Sequence, residues 1–349
     1  MIRRLRLLVL VARPAVIMLL GMFAATGLAQ AGHGEDRLLL ARVLAVVAGF
    51  LVFSVACNDL ADEAIDRVNL PDDARRPLVT GAASRHDLLV TGVVGAAGAL
   101  AVSATLHWPA VAVTAAGLAL SAGYSLRPVR LAERGAVASL VLPACYVAVP
   151  YLLGVFAVRA SARPGDLLLL AGLYAGFVGR ILLKDFRDVR GDAMFGKRTF
   201  LVRHGRVWTC VFSGCCWTAG TALILATARR PSGALLAAET VCLAVALGLI
   251  RALAADRGVR RDERLISAIA VVGRSMILLL LGHLSMVHAG LPAVPYDVVI
   301  AVLTAIVLAQ ATLMARRGPV TRLTVAGVGR VARRAEPRLV SAPAPGGDR

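Results

Sequence analysis

Apolar residues run along this chain in long blocks, and polar residues are confined to the stretches between them. Ten blocks are legible, at about residues 14–30, 38–57, 87–106, 109–124, 136–157, 166–183, 207–227, 234–254, 266–288 and 295–314. Each is close to the ~20 residues that a helix needs to cross a bilayer. Hydrocarbon cannot satisfy bare backbone groups, so the pattern predicts an all-α, polytopic transmembrane helical bundle of nine or ten spans rather than a sheet. The division that follows is a segment 1–13 leading into the first span, a membrane domain 14–315, and a basic tail 316–349 whose Arg, Ala and Pro content reads as disordered.

Composition agrees with the pattern: of 349 residues, 58% are hydrophobic, and the mean hydropathy is +0.75. The charge adds an orientation. With the N-terminus inside, the cytoplasmic segments hold 30 of the 39 Lys and Arg, the outer loops five and the spans four, as the positive-inside rule requires. The net charge of +18 is then topology and attraction to anionic lipid, and a nucleic-acid partner is not expected. Six cysteines at or within spans lack metal-ligand spacing and read as packing thiols. His283 and His288, five apart, do not share a helix face.

Against this basic background two acidic clusters stand out. NDLADEAIDRVNLPDDARRP, residues 58–77, holds six of the 21 carboxylates at the cytoplasmic end of the second span, and KDFRDVRGD, residues 184–192, closes the sixth. Asp59, Asp62 and Asp66 are spaced three and four apart, as are Asp185, Asp188 and Asp192, which puts each trio on one helix face. A membrane helix often ends in a charged, solvated turn, but two clusters in the same register read as halves of an internal repeat. Crowded carboxylates need cations. Mg²⁺ takes one or two carboxylates and completes its octahedron with water and phosphate oxygens, so two facing clusters suit a diphosphate. Arg67, Arg75 and Arg76 near the first cluster, and Arg187, Arg190 and Arg198 near the second, suit the same anion. A lipid diphosphate explains both the charge and the membrane.

These residues resemble the UbiA superfamily of intramembrane prenyltransferases. NDLADEAID fits the NDxxDxxxD motif, KDFRDVRGD resembles the second aspartate motif, and RRPLVTG, YSLRPVRLAERG at 124–135 and GKRTFLVRHG follow in the same order. The resemblance implies a bundle, usually of nine spans, around a central lipid-diphosphate cavity. It further implies that Asn58, Asp59, Asp62, Asp66, Asp185, Asp188 and Asp192 hold Mg²⁺ and diphosphate, with Asp59, Asp62 and Asp188 central to catalysis. Arg76 and Lys184 match basic positions, and Tyr124 and Arg130 match an element that helps to hold diphosphate. The family's second Pro and Lys in that element are Arg127 and Ala132 here, leaving Arg130 and Arg134 as the cations. Arg180 could reach the same face or snorkel, and Arg274, deep in the ninth span, is expected to face the cavity or a partner.

The expected chemistry is Mg²⁺-dependent transfer of a prenyl group from an allylic diphosphate to a small, aromatic acceptor. Two other readings use the same scaffold. A cyclase would attack the cation with the chain's own double bonds, and an assay without acceptor separates it. A transporter or lipid-binding protein would be favoured by bundle and repeat alone, but transporter sites gather at the midplane and these carboxylates lie at the rim.

Overall fold

The computed structural model describes residues 11, 13–69, 76–194, 199–228, 231–255, 258–290 and 292–318. The expected tail beyond residue 318 therefore lies outside the described residues. In chain order the helices are α1 Pro14–Gln30, α2 Arg37–Asn69, α3 Arg85–Ser103, α4 Trp108–Ser125, α5 Ala136–Pro143, α6 Val149–Val158, α7 Pro164–Met194, α8 Phe200–Thr227, α9 Gly233–Ala254, α10 Val259–His288 and α11 Ala293–Arg317. All ten apolar blocks are helical, and no strand occurs among the described residues. Among the described residues eight segments are long and apolar enough to cross a membrane; α1, at 17 residues, and α4, at 18, are not among them.

Local chemistry sets the boundaries. Pro lies in the first turn of α1, α4 and α6, where its missing N–H costs nothing. Ser84 and Asp87 close a reciprocal capping box at α3, and the hydroxyls of Thr199 and Ser232 accept from the backbone of α8 and α9. Between α5 and α6 the chain makes a π-helical turn, Ala144–Ala148, directly after Pro143. Such turns are commonly found at functional sites.

The two helices that carry the aspartate motifs, α2 with 33 residues and α7 with 31, are the longest. Each starts apolar, ends polar, and packs most extensively along the helix that follows it, α3 and α8 respectively. Each half also has its own apolar core. Leu20, Val46, Phe50, Leu88 and Leu153 belong to one, and Trp217, Leu235, Ile269 and Ile300 to the other. A third cluster with Phe23, Tyr151, Phe177 and Leu280 joins the halves. The α1 and α6 backbones touch there: a Cβ at Gly27 would overlap the Tyr151 carbonyl, and one at Gly154 the Ala24 carbonyl. Only glycine permits that approach.

At the end of α7 remote from its aspartates, Asp166 is 2% exposed. It accepts from Arg159 Nη2 at 2.7 Å and from the Arg163 amide at 2.7 Å. The tenth block, α11, is held to α10 by His283 Nδ1 and the Tyr296 hydroxyl, 2.7 Å apart.

Candidate active site

The first aspartate motif occupies the last turns of α2, and because α2 is one uninterrupted helix, its three carboxylates share a face. That face points inward: Asp59 is 3% exposed and Asp66 7%, so the helix does not end in a solvated turn. Asp62 is half-buried. Burying ionisable groups this way is costly without partners, and arginines from three separate segments supply them. Arg13 Nη2 donates to Asp59 Oδ1 at 2.6 Å. Arg76 donates to the same oxygen and stands 3.1 Å from Asp66 Oδ2. Arg130 Nη2 reaches Asp62 Oδ1 at 3.0 Å, while its Nε pairs with Glu133 at 2.8 Å. Three guanidinium groups thus face three carboxylates, and the repulsion expected from the acidic spacing is offset by the chain's own cations.

The remaining expected residues separate into two groups. Asn58 Nδ2 donates to Asp62 Oδ2 at 2.8 Å and joins the cluster. Tyr124, at the end of α4, stands within electrostatic reach of both Asp62 and Asp185. Arg67 turns away instead: it pairs with Glu63 at 2.8 Å, and its side chain is 55% exposed. Lys184 is exposed and Asp185 half-buried on α7. Asp188, Asp192, Arg187 and Arg190 lie on the same helix, but their side chains are outside the described set, as is all of Arg198 and Arg75. Arg134 donates to the Val129 carbonyl, and Arg274 Nε to the Ala270 carbonyl one turn back on its own helix.

Two features of the site were not anticipated from the sequence. Arg13 looked like a topology charge, yet it sits in a left-handed backbone conformation just before Pro14 and reaches Asp59; the Arg-Pro pair at the mouth of the first span is the available signal. The π-helical turn carries Tyr146, which stacks on Phe177 with ring centroids 5.9 Å apart. Phe23 meets Phe177 edge-on at 5.9 Å, and the Arg180 guanidinium lies 5.6 Å from that ring's centroid. Tyr146 is also within electrostatic reach of Arg13, Arg76 and Arg180. An aromatic wall therefore adjoins the cationic and acidic cluster.

The donor set suits a hard divalent cation. Asp59 Oδ2 is buried and has no hydrogen-bond partner among the described residues, an orphan that buried carboxylates rarely tolerate. Among those residues no three His, Cys, Asp or Glu side chains gather tightly enough to hold an ion unaided.

Comparison with known proteins narrows the identity. The chain is 30% identical over 177 residues to the bacteriochlorophyll synthase 34 kDa chain of Chloroflexus aurantiacus, covering 49% of this chain and 54% of that one. It is 32% identical over 170 residues to chlorophyll synthase of Arabidopsis thaliana, covering 46% and 43%. The chain thus spans about half the length of the curated relatives it matches. A solved structure of digeranylgeranylglyceryl phosphate synthase aligns with a TM-score of 0.63 at 16% identity, over 80% of this chain and 98% of that one. A UbiA homologue from Aeropyrum pernix K1 aligns at 0.61 and 23% identity, over 79% and 98%. Another, from Archaeoglobus fulgidus with geranyl diphosphate and Mg²⁺, aligns at 0.53 and 14%, over 88% and 99%. The sequence profile of the UbiA prenyltransferase family matches residues 18–272, a range that holds every aspartate of both motifs, and the chain belongs to that family.

Proposed function

We propose that this protein is a membrane prenyltransferase that moves a prenyl group from an allylic diphosphate to a small, aromatic acceptor, with Mg²⁺, at the cytoplasmic face. The observation that carries the reading is the convergence of Asp59, Asp62 and Asp66 with Arg13, Arg76 and Arg130 at the end of α2. The Archaeoglobus structure with geranyl diphosphate and Mg²⁺ and the synthases among its relatives support it. The surplus of basic residues in the loops on this side supports the cytoplasmic placement.

Asp59, Asp62 and Asp66 of the first motif, with Asp185, Asp188 and Asp192 of the second, are the residues that would hold Mg²⁺. When bound, the ion neutralises charge that collects on the departing diphosphate. Arg13, Arg76 and Arg130 present planar donor forks suited to phosphate oxygens, and their present carboxylate partners hold them in place beforehand. The allylic C1–O bond breaks, the electron pair leaves with the diphosphate, and the acceptor's electrons form the new bond to C1 while its proton departs. Tyr146, half-buried and backed by the buried rings of Phe177 and Phe23, would help to keep water from the cation.

The test is turnover of radiolabelled prenyl diphosphate by purified protein, with and without acceptor. Asp62→Asn and Asp188→Asn should each lower it about 10²–10³-fold while the protein stays folded, and the double variant should lose little more, because groups that act as one unit are not additive. Strong Mg²⁺-dependent turnover in Asp188→Asn would remove the paired clamp. A prenyl product formed without acceptor would replace transfer by cyclisation.

A further inference from the structure

α8 does not begin straight. Gly205 has φ 79° and ψ 176°, so the short turn from Phe200 is offset from the long helix that follows. Such a φ is open to glycine at little cost. The offset delivers Arg206 into a junction of three other helices. Its Nε donates to the Leu253 carbonyl at the end of α9, at 2.8 Å. Its Nη2 pairs with Asp262 in the first turn of α10, a carboxylate only 5% exposed. Its guanidinium lies 4.9 Å from the ring centroid of Phe186 on α7.

Phe186 is the position that matters, because it sits between Asp185 and Asp188 in the second aspartate motif. It is 5% exposed and belongs to the apolar core of α7–α11. At about 100° per residue, position 186 lies about 130° around α7 from the mean direction of positions 185, 188 and 192. It therefore grips the back of the helix whose front carries the motif. Rotation of that helix end by roughly 20° would swing groups on the motif face by about 2 Å, given a helix of about 10–12 Å diameter with side chains.

We infer that Arg206 is a positioning residue for the second aspartate motif: through Phe186 it fixes the rotation of the α7 end against α9 and α10. The inference rests on the proposed function. It touches no substrate, so its signature is the metal dependence of the reaction rather than the presence of a reaction. A shift of about 1 Å at a catalytic group can cost about 10²-fold, so a released motif face should show a large effect.

The experiment uses the full chain in lipid nanodiscs with Arg206→Gln, Arg206→Lys, Phe186→Leu and the Arg206→Gln/Phe186→Leu double variant. Folded protein is quantified by size exclusion and helical circular dichroism. Two quantities are read per folded molecule: hydrogen exchange of the peptide spanning 183–194, and the Mg²⁺ concentration at half-maximal turnover. In Arg206→Gln the peptide should exchange at least about tenfold faster, and half-saturation should move at least about tenfold upward. Arg206→Lys, which keeps the charge and loses the planar fork, should fall between Arg206→Gln and wild type. The double variant should resemble the worse single, since neighbours in one contact are not additive. If Arg206→Gln does not fold, Phe186→Leu carries the same two readouts. A folded variant with either quantity unchanged overturns the inference, because a purely structural role would lower yield and leave metal dependence alone. Wild-type protein without Mg²⁺-dependent turnover would instead remove the proposed function, and this inference with it.

Discussion

Asp59 and Asp62 lie three residues apart on one helix face, yet they should respond differently to the same substitution. Asp59 is 3% exposed and its Oδ1 takes both Arg13 and Arg76. In Asp59→Asn both bonds change from charge–charge to charge–neutral. Removing one charge from a buried ion pair costs about 3–5 kcal/mol, and because the asparagine oxygen still accepts from both arginines the loss should be smaller, about 2–3 kcal/mol. Arg76 retains Asp66, whereas among the described residues Arg13 keeps only the amide. Asp62 has one arginine, already shared with Glu133, and its side chain is 22% exposed. Asp62→Asn should therefore cost about 0.5–1 kcal/mol, the range of screened pairs. Both variants should lose about 10²–10³-fold in turnover, the scale for removing one group that stabilises developing charge. Denaturant unfolding in one detergent, beside the radiolabel assay, separates the two effects. Equal stability losses, or a greater loss in Asp62→Asn, would refute the account of Asp59 as a buried double acceptor.

Arg130→Gln removes the fork that joins Asp62 to Glu133, and should raise KM for prenyl diphosphate about tenfold in steady-state kinetics, the effect of losing a charge-assisted contact. Gly205→Ala meets no neighbouring atom but forces a methyl-bearing residue to φ 79° and ψ 176°, so it should destabilise by about 1–3 kcal/mol in the same unfolding assay. Chelation with EDTA should abolish turnover and restore it on adding Mg²⁺, with the helical circular dichroism unchanged. In a background cleared of native thiols, cysteine at His86 should be blocked from impermeant outside reagent and cysteine at Ser161 should react; the reverse pattern would invert the orientation drawn from the loop charges.

The fold was legible because its dominant force is one-dimensional. Every block of about 20 apolar residues had to become a helix in hydrocarbon, and each did. Spacing also placed Asp59, Asp62 and Asp66 on one face, since helical periodicity carries that without tertiary knowledge. What spacing could not give was depth and partner. The burial of Asp59 depends on α2 continuing well past the apolar block that ends near residue 57 to Asn69, and no hydropathy pattern marks that extension. Arg13 is distant in sequence and pairs only after α1 packs beside α2. Arg67 and Arg76 are equally basic and close to the motif, yet only Arg76 turns to it, because Glu63 on the exposed flank claims Arg67. The π-helical turn needed coordinates, although two prolines in VLPACYVAVP hinted at irregular backbone.

The crossing of α1 and α6 at Gly27 and Gly154 constrains traffic as well as packing. Carbon atoms approach no nearer than about 3.5–4.0 Å at rest, and these two backbones leave no such gap between them. A hydrocarbon tail moving sideways out of the bilayer cannot thread this seam without prising apart a contact that no side chain cushions. At the depth of this crossing a doorway for lipid would have to open along a different pair of helices.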